Sequence, residues 1–196
     1  MNKNTVLAAL ALAVPLAATA APETYVLDPY HTYPHFSVDH LGVSTLWGQF
    51  DKSSGKFTLD TVAKTGSVEL VVETASLDTG DGDKGARPRA RDEHLRAADF
   101  FNVAEFPQMT FKSTGVTFNG DAPTEVAGQL TLLGVTKPLT LKIERWVCKP
   151  HPFNKKPMCG GNASGAFKRT DFGMKYGVPA VGDEIRLFIE FEGYKQ

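Results

Sequence analysis

From Thr124 to Val147 the chain alternates apolar and polar residues on either side of a tight turn, and this period-two pattern recurs along most of its length. In the first run Val126, Gly128, Leu130 and Leu132 share one face, and Glu125, Ala127, Gln129 and Thr131 the other. Leu133 to Pro138 reads as the turn. The return run sets Leu139, Leu141, Ile143 and Val147 inward against Thr140, Lys142 and Glu144. A pleated strand sends successive side chains to opposite faces, so such a chain builds sheets with one dry and one wet face. The dry faces must meet or close on themselves.

The other runs follow the same rule. Thr24–Leu27 is short and stops at Asp28-Pro29. The inward residues are Phe36 and Val38 in His35–Asp39, Leu46, Gly48 and Phe50 in Thr45–Phe50, and Phe57 and Leu59 in Lys56–Asp60. They are Val68, Leu70 and Val72 in Ser67–Glu73, and Met109 and Phe111 in Gln108–Ser113. Val116–Phe118 and Ala163–Lys168 are shorter strands, and Glu184–Glu192 directs Ile185, Leu187, Ile189 and Phe191 inward. Asp78–Arg87 is rich in Gly and Asp and reads as an exposed loop. Arg89–Ala98 lacks alternation and carries a weak stripe of Leu95, Ala98 and Phe101, which fits one short helix. Eight or more antiparallel strands with a lone helix point to an all-β barrel or sandwich. Glycine at the inward positions 48, 128 and 165 fits either a cavity or barrel corners.

The first twenty residues read as a signal peptide. Lys3 is the positive start, Val6–Leu16 the apolar run, and Ala18-Thr-Ala20 the cleavage site, so the mature chain is expected to start at Ala21. Residues 21–196 are enough for a single domain with a sizeable core. The full chain carries a formal charge of −1, which offers no general attraction for polyanions. The basic cluster from Lys84 to Arg96 is interrupted by Asp92 and Glu93 and reads as a solvated helix face, not a nucleic-acid patch.

Cys148 and Cys159 are the only cysteines. In an exported chain such a pair reads as a disulfide closing the Lys149–Met158 loop, worth roughly 2–3 kcal/mol by chain entropy. No Gly-x-Ser-x-Gly elbow or other reaction motif is present, so no enzyme activity is expected. Cys148-x-x-His151 with Met158-Cys159 also forms a ligand set suited to zinc or Cu(I). It supports an alternative reading as an exported metal- or haem-handling accessory protein. The disulfide outweighs it in an oxidising compartment, and no metal is assigned.

Seven segments, in order, carry a family resemblance. They are His31-Thr with Phe36 and Val38-Asp-His40-Leu-Gly42; Gly48-Gln-Phe50; Arg91-Asp-Glu-His94-Leu; Ala98-Asp-Phe-Phe-Asn102; Phe106-Pro107 with Thr110-Phe111; Gly128-Gln-Leu-Thr-Leu132 with Gly134-Val-Thr-Lys-Pro138; and Arg169-Thr-Asp-Phe-Gly173. In this arrangement the chain resembles the YceI-like family of exported proteins. The resemblance implies an extended eight-stranded antiparallel, lipocalin-like barrel with a helix across one opening. It implies a periplasmic carrier holding a polyisoprenoid or isoprenoid-quinone lipid in an internal tunnel. The lipid is a ligand, with no cofactor and with transient membrane-surface contact; monomer and homodimer both remain open. The expected wall is Phe36, Val38, Leu46, Gly48, Phe50, Val68, Leu70, Val72, Met109, Phe111, Gly128, Leu130, Leu132, Leu141, Ile143, Leu187 and Ile189. Gly48 and Gly128 are expected to leave space along the axis. His31, His40 and His94 are the polar head-group candidates. Pro34 and the Cys148–Cys159 segment depart from the common family pattern.

Overall fold

The computed structural model describes residues 21–196, so the signal-peptide segment lies outside the described residues. Alternation yields eleven strands: β1 (Glu23–Leu27), β2 (Tyr33–His40), β3 (Ser44–Phe50), β4 (Ser53–Asp60), β5 (Thr65–Glu73), β6 (Leu77–Asp78), β7 (Gln108–Asn119), β8 (Ala122–Leu132), β9 (Val135–Pro150), β10 (Pro157–Lys168) and β11 (Glu184–Lys195). One helix, α1 (Arg91–Arg96), and two 3₁₀ turns complete the described elements.

Eight strands close an antiparallel barrel in the order β1-β4-β5-β7-β8-β9-β10-β11, with β11 returning to β1. The remaining three hang from β11 as the branch β2-β3-β6. The branching follows from the register of β11. Its Arg186–Glu190 stretch pairs with β2, and its Gly193–Lys195 stretch pairs with β1. Buried Thr32 fills the fork, its hydroxyl donating to the Glu192 carbonyl (3.3 Å) while Ser53 Oγ donates to the Thr32 carbonyl (2.6 Å). Pro34 pairs with Ile189 one residue beyond the β2–β3 ladder, where its missing N–H costs no bond to β3.

Bulges reset the side-chain parity at three places among the described strands, at Glu144, Thr114 and Thr124. Asn162 pairs with Arg145 but Ala163 with Ile143, leaving Glu144 as the extra residue. Beyond it Trp146, not Val147, turns inward. The expected inward Val147 is 41% exposed, while Trp146 packs edge-on against Phe57 with ring centroids 5.7 Å apart. Likewise Ser113 pairs with Gly128 and Gly115 with Ala127, so Thr114 is extra. The two runs read as separate strands therefore form the single strand β7, with Met109 and Phe111 before the bulge and Val116 and Phe118 after it packed on the core.

The β8–β9 turn is shorter than expected. Leu132 pairs with Val135, so only Leu133 and Gly134 turn, at φ 52° and 72°. Two left-handed residues make the hairpin turn whose twist matches its strands. The β9–β10 connection is also tighter than the expected loop. Strand pairing runs to Pro150 and resumes at Pro157, and Cys148 faces Cys159 directly across the ladder. The two sulfurs are bonded as expected.

The helix is shorter than the sequence pattern. It is pinned by its own charges. Arg91 Nε donates to Thr79 Oγ1 (2.7 Å), Arg96 Nε to the Ala75 carbonyl (2.9 Å), and buried Asp92 accepts from the Thr79 amide (3.1 Å). Arg91 and Arg96 are thus spent on the barrel and do not form the expected solvated face. Arg87, by contrast, forks onto Asp81 at the exposed surface (2.6 and 2.7 Å).

Candidate functional site

The inward rows of the strands do not fill the barrel. A cavity of about 270 Å³ lies beneath α1 and the 174–181 segment, and a second of about 70 Å³ lies deeper. Of the expected wall, Phe36, Val38, Leu46, Phe50, Val72, Met109, Leu130, Leu132 and Leu187 line the larger cavity. Val68 and Ile143 line the smaller one. Leu70, Phe111, Leu141 and Ile189 line both.

Gly48 and Gly128 line neither, and the expectation that they leave open space is corrected. A Cβ at Gly48 would stand 2.7 Å from Phe36 Cε1 and 2.8 Å from Thr79 Cγ2. One at Gly128 would stand 2.6 Å from Phe111 Cε2 and 2.7 Å from the Lys112 carbonyl. Each glycine is covered by a phenylalanine ring lying down on the strand. The glycine makes room for the ring at the wall, and the ring is thereby kept out of the lumen. Gly193 repeats the device deeper in the barrel, beneath Phe57, whose Cε1 would be 2.6 Å from a Cβ there.

The polar groups gather at one end. His40 from β2, Arg91 and His94 from α1, and Arg169 after β10 line the larger cavity beside Met174, Tyr176 and Val181. His94 Nε2 donates to Asp99 Oδ2 (3.0 Å), and its ring meets Phe100 and Tyr176 edge-on at 5.0 Å each. His31 lies elsewhere and lines neither cavity. It is 60% exposed, donating from Nδ1 to Asp28 Oδ2 (2.8 Å). That hydrogen bond raises the His31 pKa above its ordinary value, against the pull of desolvation. Asp28, His31 and Glu192 hold ligand atoms within 4.8 Å of one another, a cluster at the β1–β11 junction in which His31 is exposed and the two carboxylates are half-buried. It lies outside the Cys148–Cys159 ligand set considered above. In that set both thiols are consumed by the disulfide, and His151 Nδ1 accepts from the Phe153 and Asn154 amides (3.3 and 3.2 Å).

Arg169 was named in a family-like segment without a role. It is only 2% exposed, and its guanidinium donates to four backbone carbonyls, those of Gly182 (2.8 Å), Met174 (3.2 Å), Tyr176 (2.9 Å) and Val181 (2.9 Å). Burial pushes its pKa down, opposed by the nearby Asp183 carboxylate. Asp183 itself is held below its usual value despite burial, because Thr170 donates to it from amide and hydroxyl (3.0 and 2.9 Å). One side chain therefore folds residues 174–182 into a strap over the barrel end. A charged residue at the end of a strand ordinarily reads as surface, so only a planar fork meeting several carbonyls identifies this role.

A closed eight-stranded antiparallel barrel with an apolar chamber and a few polar groups at its rim defines a ligand-enclosing barrel. The YceI-like domain family matches residues 25–193. The protein named YceI from Salmonella arizonae is 36% identical over 199 residues, covering 100% of each chain. The chain belongs to the YceI-like family. Among solved structures, the YCEI protein of Campylobacter jejuni superposes with a TM-score of 0.66 at 26% identity, over 81% of this chain and 90% of its own. A polyisoprenoid binding domain from Saccharophagus degradans shares the fold with a TM-score of 0.61 at 17% identity, over 88% of this chain and 98% of its own.

Proposed function

We propose that the protein is an exported, periplasmic carrier that holds one long apolar lipid, of the polyisoprenoid or isoprenoid-quinone type, inside its barrel. The observation that carries this reading is the cavity of about 270 Å³ walled by Leu, Ile, Val, Phe and Met side chains, with polar groups at one end only. An apolar chain gains about 25 cal/mol per Å² of surface removed from water, and such a wall supplies the matching surface. A tail lies along the barrel and a polar head stays near His40 and His94. The fold shared with a polyisoprenoid binding domain supports this class of ligand. The Cys148–Cys159 disulfide supports an oxidising compartment. Transport of a stored lipid needs no nucleophile or acid–base pair, and no catalytic role is assigned to any residue.

Organic extraction of protein purified from its own periplasm, followed by mass spectrometry, tests the reading. An isoprenoid lipid recovered in stoichiometric amount supports it. Protein that is loaded with a metal or haem and carries no lipid supports the accessory-protein reading instead.

A further inference from the structure

The two cavities share four side chains, Leu70 on β5, Phe111 on β7, Leu141 on β9 and Ile189 on β11. These residues stand where the larger chamber meets the smaller one. Phe111 is the bulkiest of them and is 4% exposed. Its ring lies against Gly128 of the neighbouring strand, with Cε2 2.6 Å from where a Cβ would stand. Beyond the waist the smaller chamber is lined by Phe57, Val126, Trp146 and Phe191 and has room for about 70 Å³. That room is apolar and borders the larger chamber at the four shared side chains.

We propose that Phe111, resting on Gly128, is a gate between the chambers and sets how long a lipid tail the barrel accepts. This rests on the carrier reading above. A short tail ends in the larger chamber and leaves the ring undisturbed. A longer tail passes the waist, and it does so because glycine lets the ring lie flat. Any side chain at position 128 lifts the ring into the passage. Small size at that position thus selects for length, while the upper wall accepts any apolar tail that reaches the waist.

The two tryptophans make the passage measurable. Trp47 is 61% exposed, and Trp146 lines the smaller chamber. In Trp47→Phe protein the remaining indole reports on that chamber alone. The probes are farnesol as the short prenol and solanesol as the long one, each presented from the same detergent. Both are expected to bind, and only solanesol is expected to shift Trp146 emission. Gly128→Ala is expected to weaken solanesol binding roughly a hundredfold, about what is lost when part of one isoprene unit's burial is forfeited. It is expected to abolish the emission shift and leave farnesol binding unchanged. Adding Phe111→Ala is expected to restore both. The added methyl also stands 2.7 Å from the Lys112 carbonyl. If this prevents folding, Ile189→Phe narrows the same waist from the opposite wall, and the same loss of solanesol with retention of farnesol is expected. Solanesol bound without an emission shift, or bound equally well by the narrowed variants, overturns the gate. Failure of both prenols to bind wild-type protein overturns the carrier reading itself.

Discussion

Replacing Arg169 by Met removes the guanidinium while keeping most of the stem's volume. Four carbonyl bonds from a charged donor are lost. At about 1.5–3 kcal/mol each their gross value is large. Two effects offset it. The freed carbonyls of Tyr176, Val181 and Gly182 belong to exposed or half-buried residues and regain water, unlike that of buried Met174, and Met carries none of the desolvation that pulls the Arg169 pKa down. A net loss of about 3–5 kcal/mol is expected, as when one partner of a buried charged arrangement is removed. For a domain of this size that lowers the melting temperature by about 10 °C. Equilibrium urea unfolding gives the free energy, and hydrogen exchange resolved by peptide shows where it is lost. Exchange is expected to accelerate in residues 173–183 well before the β7–β9 strands. Arg169→Lys, with a compact donor that cannot span four acceptors, is expected to fall between the two. An Arg169→Met protein with an unchanged midpoint and an unchanged exchange pattern refutes the strap.

Three further outcomes are expected. Unfolded, unreduced protein shows no free thiol, and Cys148→Ala with Cys159→Ala unfolds about 2–3 kcal/mol more readily in urea; two titratable thiols contradict the pairing. Gly48→Ala drives a methyl to within 2.7 Å of Phe36 Cε1, costing about 1–3 kcal/mol in a thermal melt and lowering extracted lipid; full lipid at wild-type stability shows that Phe36 does not rest there. The Tyr25 hydroxyl is pushed up to about 12 from 10.0, by burial first and then by its bond to Glu23. The folded chain therefore holds this proton longer than the unfolded chain. The associated stability is intact below pH 10 and declines by about 2–3 kcal/mol as pH rises towards 12. Tyr25→Phe keeps the ring stacked on Phe57 and is expected to flatten that alkaline decline, which pH-dependent urea unfolding measures.

Strand identity and inward faces were legible because β2, β3, β5 and β11 alternate without interruption and β8 does so from Val126 onward, so parity alone placed Leu70, Leu130, Leu187 and Ile189 on the wall. Parity fails at a bulge. Glu144 has no sequence mark that sets it apart, yet inserting it moves Trp146 inward and Val147 outward. The inward glycines were visible as positions but misread as voids. Knowing that Phe36 covers Gly48 requires the register in which the two pair directly. For the polar groups, His40 and His94 come together from segments more than fifty residues apart, and nothing in the local sequence separates them from His31. Arg169 was hidden for a related reason, since its partners are backbone carbonyls and these are present in every sequence.

The fork at β11 has a consequence for the order of assembly. β1 and β11 are the first and last strands of the described chain, and their pairing at Leu27–Gly193 completes the circumference. Until then the sheet is an open, curled ribbon with two free edges. The hairpins β2–β3, β7–β8 and β8–β9 are local and form quickly, while joining the ends requires the longest loop closure in the molecule. Ile189 and Phe191 arrive with that final strand, so neither chamber has a complete wall before the seam shuts. A nascent barrel therefore presents its future lining as an exposed apolar trough, and a lipid lying in that trough would become part of the last step of folding. Once the seam has closed, the rim around α1 and the strap is where the larger chamber can be reached without parting a strand pairing.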